Sequence, residues 1–256
     1  MSAQVDHIRD FQPIVVIPVF NHGEAIGHMV DGVLAQAQSC LLVDDGSEAG
    51  CAQVLDRLHA AHPDRVFLLR LEQNQGKGGA VMAGLREALR RGYSHAVQID
   101  ADGQHDPNDI PGFLGDAAAH PDCVVVGRPL YDESVPKGRL YGRYATHIWV
   151  WINTLSLQIR DSMCGFRVYP LAPTVALIDQ VRIGRRMDFD SEVLVRLHWR
   201  GVPMINRATR VTYPLDGVSH FDVLRDNLRI SRMHAKLFFG MLLRLPLLLW
   251  RKAMPA

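Results

Sequence analysis

V-Q-I-D-A-D-G-Q-H-D, residues Val97 to Asp106, runs from an apolar stretch into three carboxylates, a glycine and two further polar side chains. Ala96, Val97 and Ile99 have strand character, and Gly103, Pro107 and Asn108 supply the breakers that end a strand. Asp100 and Asp102 therefore fall at a strand's carboxyl end, the edge where open α/β sheets bind ligands. Two carboxylates one residue apart suit a hard divalent cation, which in turn neutralises a diphosphate. The competing reading is a pair of turn carboxylates capping the next helix at Pro107, and a bare D-x-D does not decide between them.

Working toward the N-terminus, the same pattern recurs. Pro13 to Val19 is a β-branched run suited to a buried parallel strand, followed by the loop Phe20-Asn21-His22-Gly23 and a helix over Glu24 to Ala37. Leu41 to Val43 is a second strand, ending in Asp44-Asp45-Gly46-Ser47, and Cys51 to Ala61 returns the chain as a helix. Val66 to Leu71 is a third strand, and the loop Glu72 to Gly79 leads into a helix over Ala80 to Arg91. Strands alternating with helices imply right-handed βαβ crossovers and a mostly parallel sheet, with the unusual polar residues at one edge. No G-x-G-x-x-G follows the first strand, and Gly76-Lys77-Gly78 lacks the Walker spacing, so dinucleotide and P-loop readings are weak.

Toward the C-terminus, Val124 to Gly127 is a strand ending at Arg128, and Leu140 to Ile159 a long helix whose Trp149 and Trp151 read as packing residues. Asp161 to Tyr169 is turn then strand, Met187 to Arg200 a helix, Ile205 to Val211 a late strand and Tyr213 to Phe221 a loop. From Asp222 the chain becomes basic and apolar. Leu237 to Trp250, interrupted by Arg244 and Pro246, reads as too short to span a bilayer. Such a tail suits the membrane interface, the alternative being a helix docked on the protein's own core or a partner subunit.

Residues 1–221 thus read as one α/β domain and 222–256 as a helical tail. The net charge of +1 argues against a nucleic-acid protein with a basic surface. Cys40, Cys51, Cys123 and Cys164 show no C-x-x-C spacing, and no signal segment precedes the first strand, which points to a reduced cytosolic protein without structural zinc.

Taken together these stretches resemble family 2 glycosyltransferases of the GT-A fold, particularly the polyprenyl-phosphate mannosyl- and glucosyltransferase branch. The resemblance is carried, in order, by Ile17-Pro18-Val19-Phe20-Asn21, Val43-Asp44-Asp45-Gly46-Ser47, Asn74 with Gly76-Lys77-Gly78, Asp100-Ala101-Asp102-Gly103-Gln104-His105, Gly127-Arg128, Asp161 with Gly165-Phe166-Arg167, and Phe189-Asp190-Ser191-Glu192. It implies a nucleotide-sugar donor held by Pro18, Phe20, Asn21, Asp44, Asp45, Lys77, Ala101 and Arg128. It also implies Mg²⁺ or Mn²⁺ on Asp100 and Asp102, with Gln104 in support, and transfer of one sugar with inversion.

The acceptor decides the rest. A hydroxyl acceptor needs a base, for which Asp190, Glu192 and Asp161 are candidates in that order. A lipid phosphate is already anionic and needs cations instead, for which Arg139, Arg167 and His220 are candidates. His22 stands where the family usually has Glu and Phe20 where it has Tyr, so base and ribose contacts can differ. The expected setting is the cytoplasmic membrane surface, at its inner face, with a lipid-linked acceptor, no nucleic acid, and a homo-oligomer or partner contact through the tail left open. A sugar nucleotidyltransferase and a non-catalytic scaffold are the competing functions.

Overall fold

The computed structural model describes residues 11–130, 137–211 and 222–253, with a seven-stranded mixed sheet at the centre. The strands are β1 (Pro13–Val19), β2 (Cys40–Asp44), β3 (Val66–Arg70), β4 (His95–Gln98), β5 (Val124–Leu130), β6 (Arg167–Pro170) and β7 (Met204–Arg210), in the order β3-β2-β1-β4-β6-β5-β7. All neighbours pair in parallel except β6, which runs antiparallel to both β4 and β5. Period-two alternation divides the core. Ile14 and Val16 of β1 point to one apolar layer, Val15, Ile17 and Val19 to the other, which is why the run is apolar throughout.

One layer is covered by α1 (Ile26–Ala35), α2 (Ala49–Ala61) and α4 (Ile110–Ala119). The other is covered by α3 (Lys77–Arg90), α5 (Lys137–Thr154), α6 (Leu171–Gln180), α7 (Phe189–Trp199) and α8 (Val223–Ala253). The chain leaves β1 toward β2 and β3 on one side and later returns to β4 on the other. The crevice at the carboxyl ends of β1 and β4 is therefore the topological switch point, where this class of sheet binds ligands.

The tail departs from expectation in one respect. Pro246 removes one N–H from the ladder and crowds the carbonyl four residues back, yet the helix continues through it to Ala253, so α8 is long and apolar enough to cross a membrane. Met233, Leu237, Met241 and Leu248 pack into the core shared with α5 and α7. The opposite face leaves Leu224, Leu228, Phe239, Leu242, Leu243, Leu247, Leu249 and Trp250 exposed.

Candidate active site

Four chain segments converge at the switch point. A cleft of about 910 Å³ is lined by Asn21 and His22 after β1, Glu48 after β2, and Asp102, Gly103 and His105 after β4. Pro18 lies near the end of β1, with Phe20 just beyond it. Asn21 occupies the left-handed region (φ 58°), which Asn tolerates better than most residues. Its side-chain oxygen accepts from the Glu48 amide (2.8 Å) and its own amide donates to Ser47 Oγ (3.1 Å), so it clasps the first two loops together.

The carboxylates after β2 also hold backbone. Asp44 Oδ1 accepts from the Ser47 amide (2.9 Å) while Oδ2 pairs with Arg70 (2.9 Å). Asp45 accepts from the amides of Gln75 (2.7 Å) and Gly76 (2.9 Å), tying the second loop to the third. Burial pushes the Asp45 carboxyl upward, and those two amides act against that. Gly76 (φ +85°) turns the chain into α3; a Cβ there would meet the Arg185 carbonyl oxygen at 2.7 Å. Gly78 lets the first turn of α3 lie against Phe189, which brings Lys77 beside the start of α7.

Lys77 Nζ lies 2.8 Å from Asp100 Oδ2 and 3.0 Å from Asp190 Oδ2. Burial opposes its charge, but the two carboxylates outweigh burial and raise the ammonium above its usual range. Burial likewise opposes charge on Asp100, and Lys77 nonetheless holds that carboxyl low. Gly165 makes room for the Asp100 side chain, since a Cβ would meet Oδ1 at 2.7 Å. Asp100 Oδ1 is buried and accepts no hydrogen bond. Asp102 is pushed up to about 6, by burial first and by the Asp100 charge second. Its Oδ1 accepts from the Gln104 amide (3.1 Å), and Ala101, between Asp100 and Asp102, is buried.

An orphaned buried oxygen beside a second carboxylate fits a hard divalent cation. Among the described residues no three His, Cys, Asp or Glu side chains converge on one point, so such a cation would take its other ligands from substrate and water. Arg128, near the end of β5, is half-buried.

The three base candidates are all tied to cations. Asp161 takes two hydrogen bonds from Arg143 (2.7 and 2.8 Å), accepts from the amides of Met163 and Cys164, and has His147 Nε2 at 3.4 Å. Burial would raise its pKa, but His147 and Arg143 hold it far below the carboxylate range. Asp190 carries Lys77. Glu192 is buried against Arg196 (2.7 Å) and Lys236 of α8 (3.3 Å), and also accepts from the Gly184 amide (2.8 Å). None of these Glu192 contacts is with the residues around Asp100.

Arg167, expected at the acceptor, is fully buried. Its guanidinium donates to the carbonyls of Cys164, Ser162 and Asp190 and to Tyr169 Oη. It is the first residue of β6, opposite Gln98 at the end of β4, and with its donors spent on buried protein oxygens it belongs to the frame of the site. The Arg139 side chain and the Tyr213 to Phe221 loop with His220 lie outside the described residues. Arg143, on α5 and bound to Asp161, is a cation that spacing along the sequence did not single out.

The family model described as glycosyl transferase family 2 matches residues 14–180. Polyprenol monophosphomannose synthase of Mycolicibacterium smegmatis is 33% identical over 171 residues, covering 61% of this chain and 60% of that protein. Undecaprenyl-phosphate mannosyltransferase of Micrococcus luteus is 32% identical over 177 residues, 65% of this chain and 69% of that one. Glucosyl-3-phosphoglycerate synthase of Mycobacterium tuberculosis, crystallised with Mn²⁺, UDP and phosphoglyceric acid, shares the fold: the TM-score is 0.68 at 14% identity, over 93% of this chain and 81% of that one.

Proposed function

The chain belongs to glycosyl transferase family 2 and is a glycosyltransferase, and from that premise we propose that it moves one sugar, with inversion, from a nucleotide-diphosphate sugar to a lipid-linked phosphate. The observation that carries the choice of acceptor is the state of the three carboxylates. Asp161, Asp190 and Glu192 are each neutralised by Arg or Lys, so none is left as a free base for a hydroxyl. A phosphate nucleophile needs no proton removed; it needs cations. Arg143, oriented by Asp161, and Arg128 meet that need at the acceptor side. The names of the mycobacterial and micrococcal relatives agree with this acceptor class.

On the donor side, Pro18, Phe20, Asp44 and Asp45 border the nucleoside, with Asn21 fixing the loops that carry them. Asp100 and Asp102, with Gln104 beside them, would hold Mg²⁺ or Mn²⁺. Bound there, the cation supplies charge stabilisation for the departing diphosphate. Lys77 offers its third N–H to the same diphosphate, two being directed to Asp100 and Asp190. The test is sugar transfer from a panel of UDP- and GDP-sugars to a polyprenyl phosphate and to the matching polyprenol. Transfer to the phosphate alone is expected; transfer to the alcohol, abolished by Asp190→Asn, would overturn the reading.

The exposed face of α8 lies beside Tyr144, Ile148, Trp149 and Ile152 of α5, which are also exposed, and Trp149 packs between His234 and Phe238 of α8. Apolar and aromatic side chains interleaved with Arg225, Arg229, Arg244, Arg251 and Lys252 suit the inner, anionic face of a membrane. Leu243→Ser with Trp250→Ser should release the protein from anionic vesicles while leaving its melting temperature in place. Unchanged co-sedimentation would count against a lipid-facing surface.

A further inference from the structure

Gln98, Arg167 and Tyr169 are fully buried polar side chains to which the transfer assigns no task. With Asp190 they close a hydrogen-bonded ring. Antiparallel pairing of β4 and β6 sets Gln98 opposite Arg167, and Tyr169 follows two residues on, on the same face of the sheet. Arg167 Nη1 donates to the Asp190 carbonyl (2.7 Å) and to Tyr169 Oη (3.1 Å). Tyr169 Oη donates to Gln98 Oε1 (3.2 Å), and Gln98 Nε2 donates to Asp190 Oδ1 (3.3 Å). Both the backbone and the side chain of Asp190 are thereby fixed.

Such a ring is an expensive way to pack a helix on a sheet. Apolar residues of the same volume fill buried sites equally well or better, and Phe189, Val193 and Leu194 already dock α7. What directional bonds add is orientation. The free edge of the ring is Asp190 Oδ2, which receives Lys77 Nζ, and Lys77 in turn reaches Asp100. A lysine ammonium on a flexible four-carbon stem has no fixed direction of its own.

We propose that Gln98, Arg167 and Tyr169 form a positioning frame for Lys77: they lock Asp190, and Asp190 holds the ammonium where the diphosphate of the donor arrives. The inference rests on the donor-site reading given above. Asp190 is then a positioning residue, which accounts for the buried polar partners around it without any proton transfer.

The test uses Tyr169→Phe and Gln98→Met, which change no charge and leave the side-chain volumes close to native. The readout is the preference for nucleoside diphosphate over monophosphate, UDP against UMP and GDP against GMP with Mn²⁺, taken by calorimetry on the full chain with the base that the wild type binds. Because both ligands are read on the same folded protein, a lower melting temperature does not enter the ratio. Each variant should lose about threefold to tenfold of the preference, with monophosphate affinity unchanged. The double variant should lose no more than the worse single one, since both open the same ring. A fall in kcat with the preference intact would overturn the frame in favour of a base role for Asp190. Lys77→Met serves as the reference. If it lowers the preference while the frame variants do not, the inference fails alone; if it has no effect, the donor-site reading beneath it fails.

Discussion

The carboxylates after β2 and those around α5 and α7 are buried alike, yet they are held by different partners. Asp45 is held by two backbone amides, and Asp44 by an amide and one arginine. Asp161, Asp190 and Glu192 are held chiefly by side-chain cations from other elements or turns, Arg143, Lys77, Arg196 and Lys236. Backbone-held carboxylates fix the shape of loops. Cation-held carboxylates set the charge of a site, and here each is paired with the arginine or lysine that it orients.

The sharpest way to break that contrast is to leave one cation-held carboxylate unpaired. Arg143→Met strands a buried Asp161 charge and should destabilise the fold by about 3–5 kcal/mol in chemical denaturation, with Asp161→Asn in the same chain restoring most of the loss. If the single variant is as stable as wild type, the pair does not hold the charge. Next in size is the metal pair. A nucleotide with Mn²⁺ at one hundred times its dissociation constant should stabilise the wild type by about 2.7 kcal/mol, and Asp102→Asn should abolish that increment. In the backbone-held group, Asp45→Ala should cost only about 2 kcal/mol, the penalty of leaving the Gln75 and Gly76 amides without their acceptor. A cost equal to that of Arg143→Met would erase the distinction between the two halves.

The smallest effect is one of pH. Asp102 sits near 6 because burial and the Asp100 charge favour its protonated form. A cation must displace that proton, so Mn²⁺-dependent nucleotide affinity should fall as pH drops through about 6, by roughly tenfold per unit at most. Stability of the metal-free protein runs the opposite way. A carboxyl whose folded pKa is raised stabilises the fold at low pH and loses that contribution as pH rises through about 6. Parallel titrations of nucleotide affinity and of metal-free melting between pH 5 and 8 should therefore cross; parallel trends would reassign the group.

Much of the first half of the molecule was legible because its signals are local. A β-branched run followed by Asp, Gly or Asn marks a strand and its carboxyl end, and the segments after β1, β2 and β3 reach the Asp100 segment through the Asn21–Ser47, Asp45–Gln75 and Lys77–Asp100 contacts. The later elements depend on partners that are remote along the chain. Nothing near Arg167 reveals that β6 inserts antiparallel between β4 and β5, which converts an expected acceptor ligand into a buried strut. Lys77 meets Asp190 only because Gly78 admits Phe189. Nothing along α5 signals that Arg143 meets Asp161, and Pro246 interrupts the apolar run of the sequence without ending α8.

The insertion of β6 also bears on how the chain assembles. β1 to β4 are contiguous in sequence and can pair as they emerge, but β5 reaches the sheet only across β6, and β7 only across β5. A nascent chain that stops short of Arg167 carries β4 with one edge open, a row of unpaired backbone groups of the kind that recruits other strands. Pairing of the four residues Arg167 to Pro170 with β4 closes that edge. The growing sheet thus exposes the β4 edge until β6 is free to pair, the kind of open edge on which incomplete chains associate.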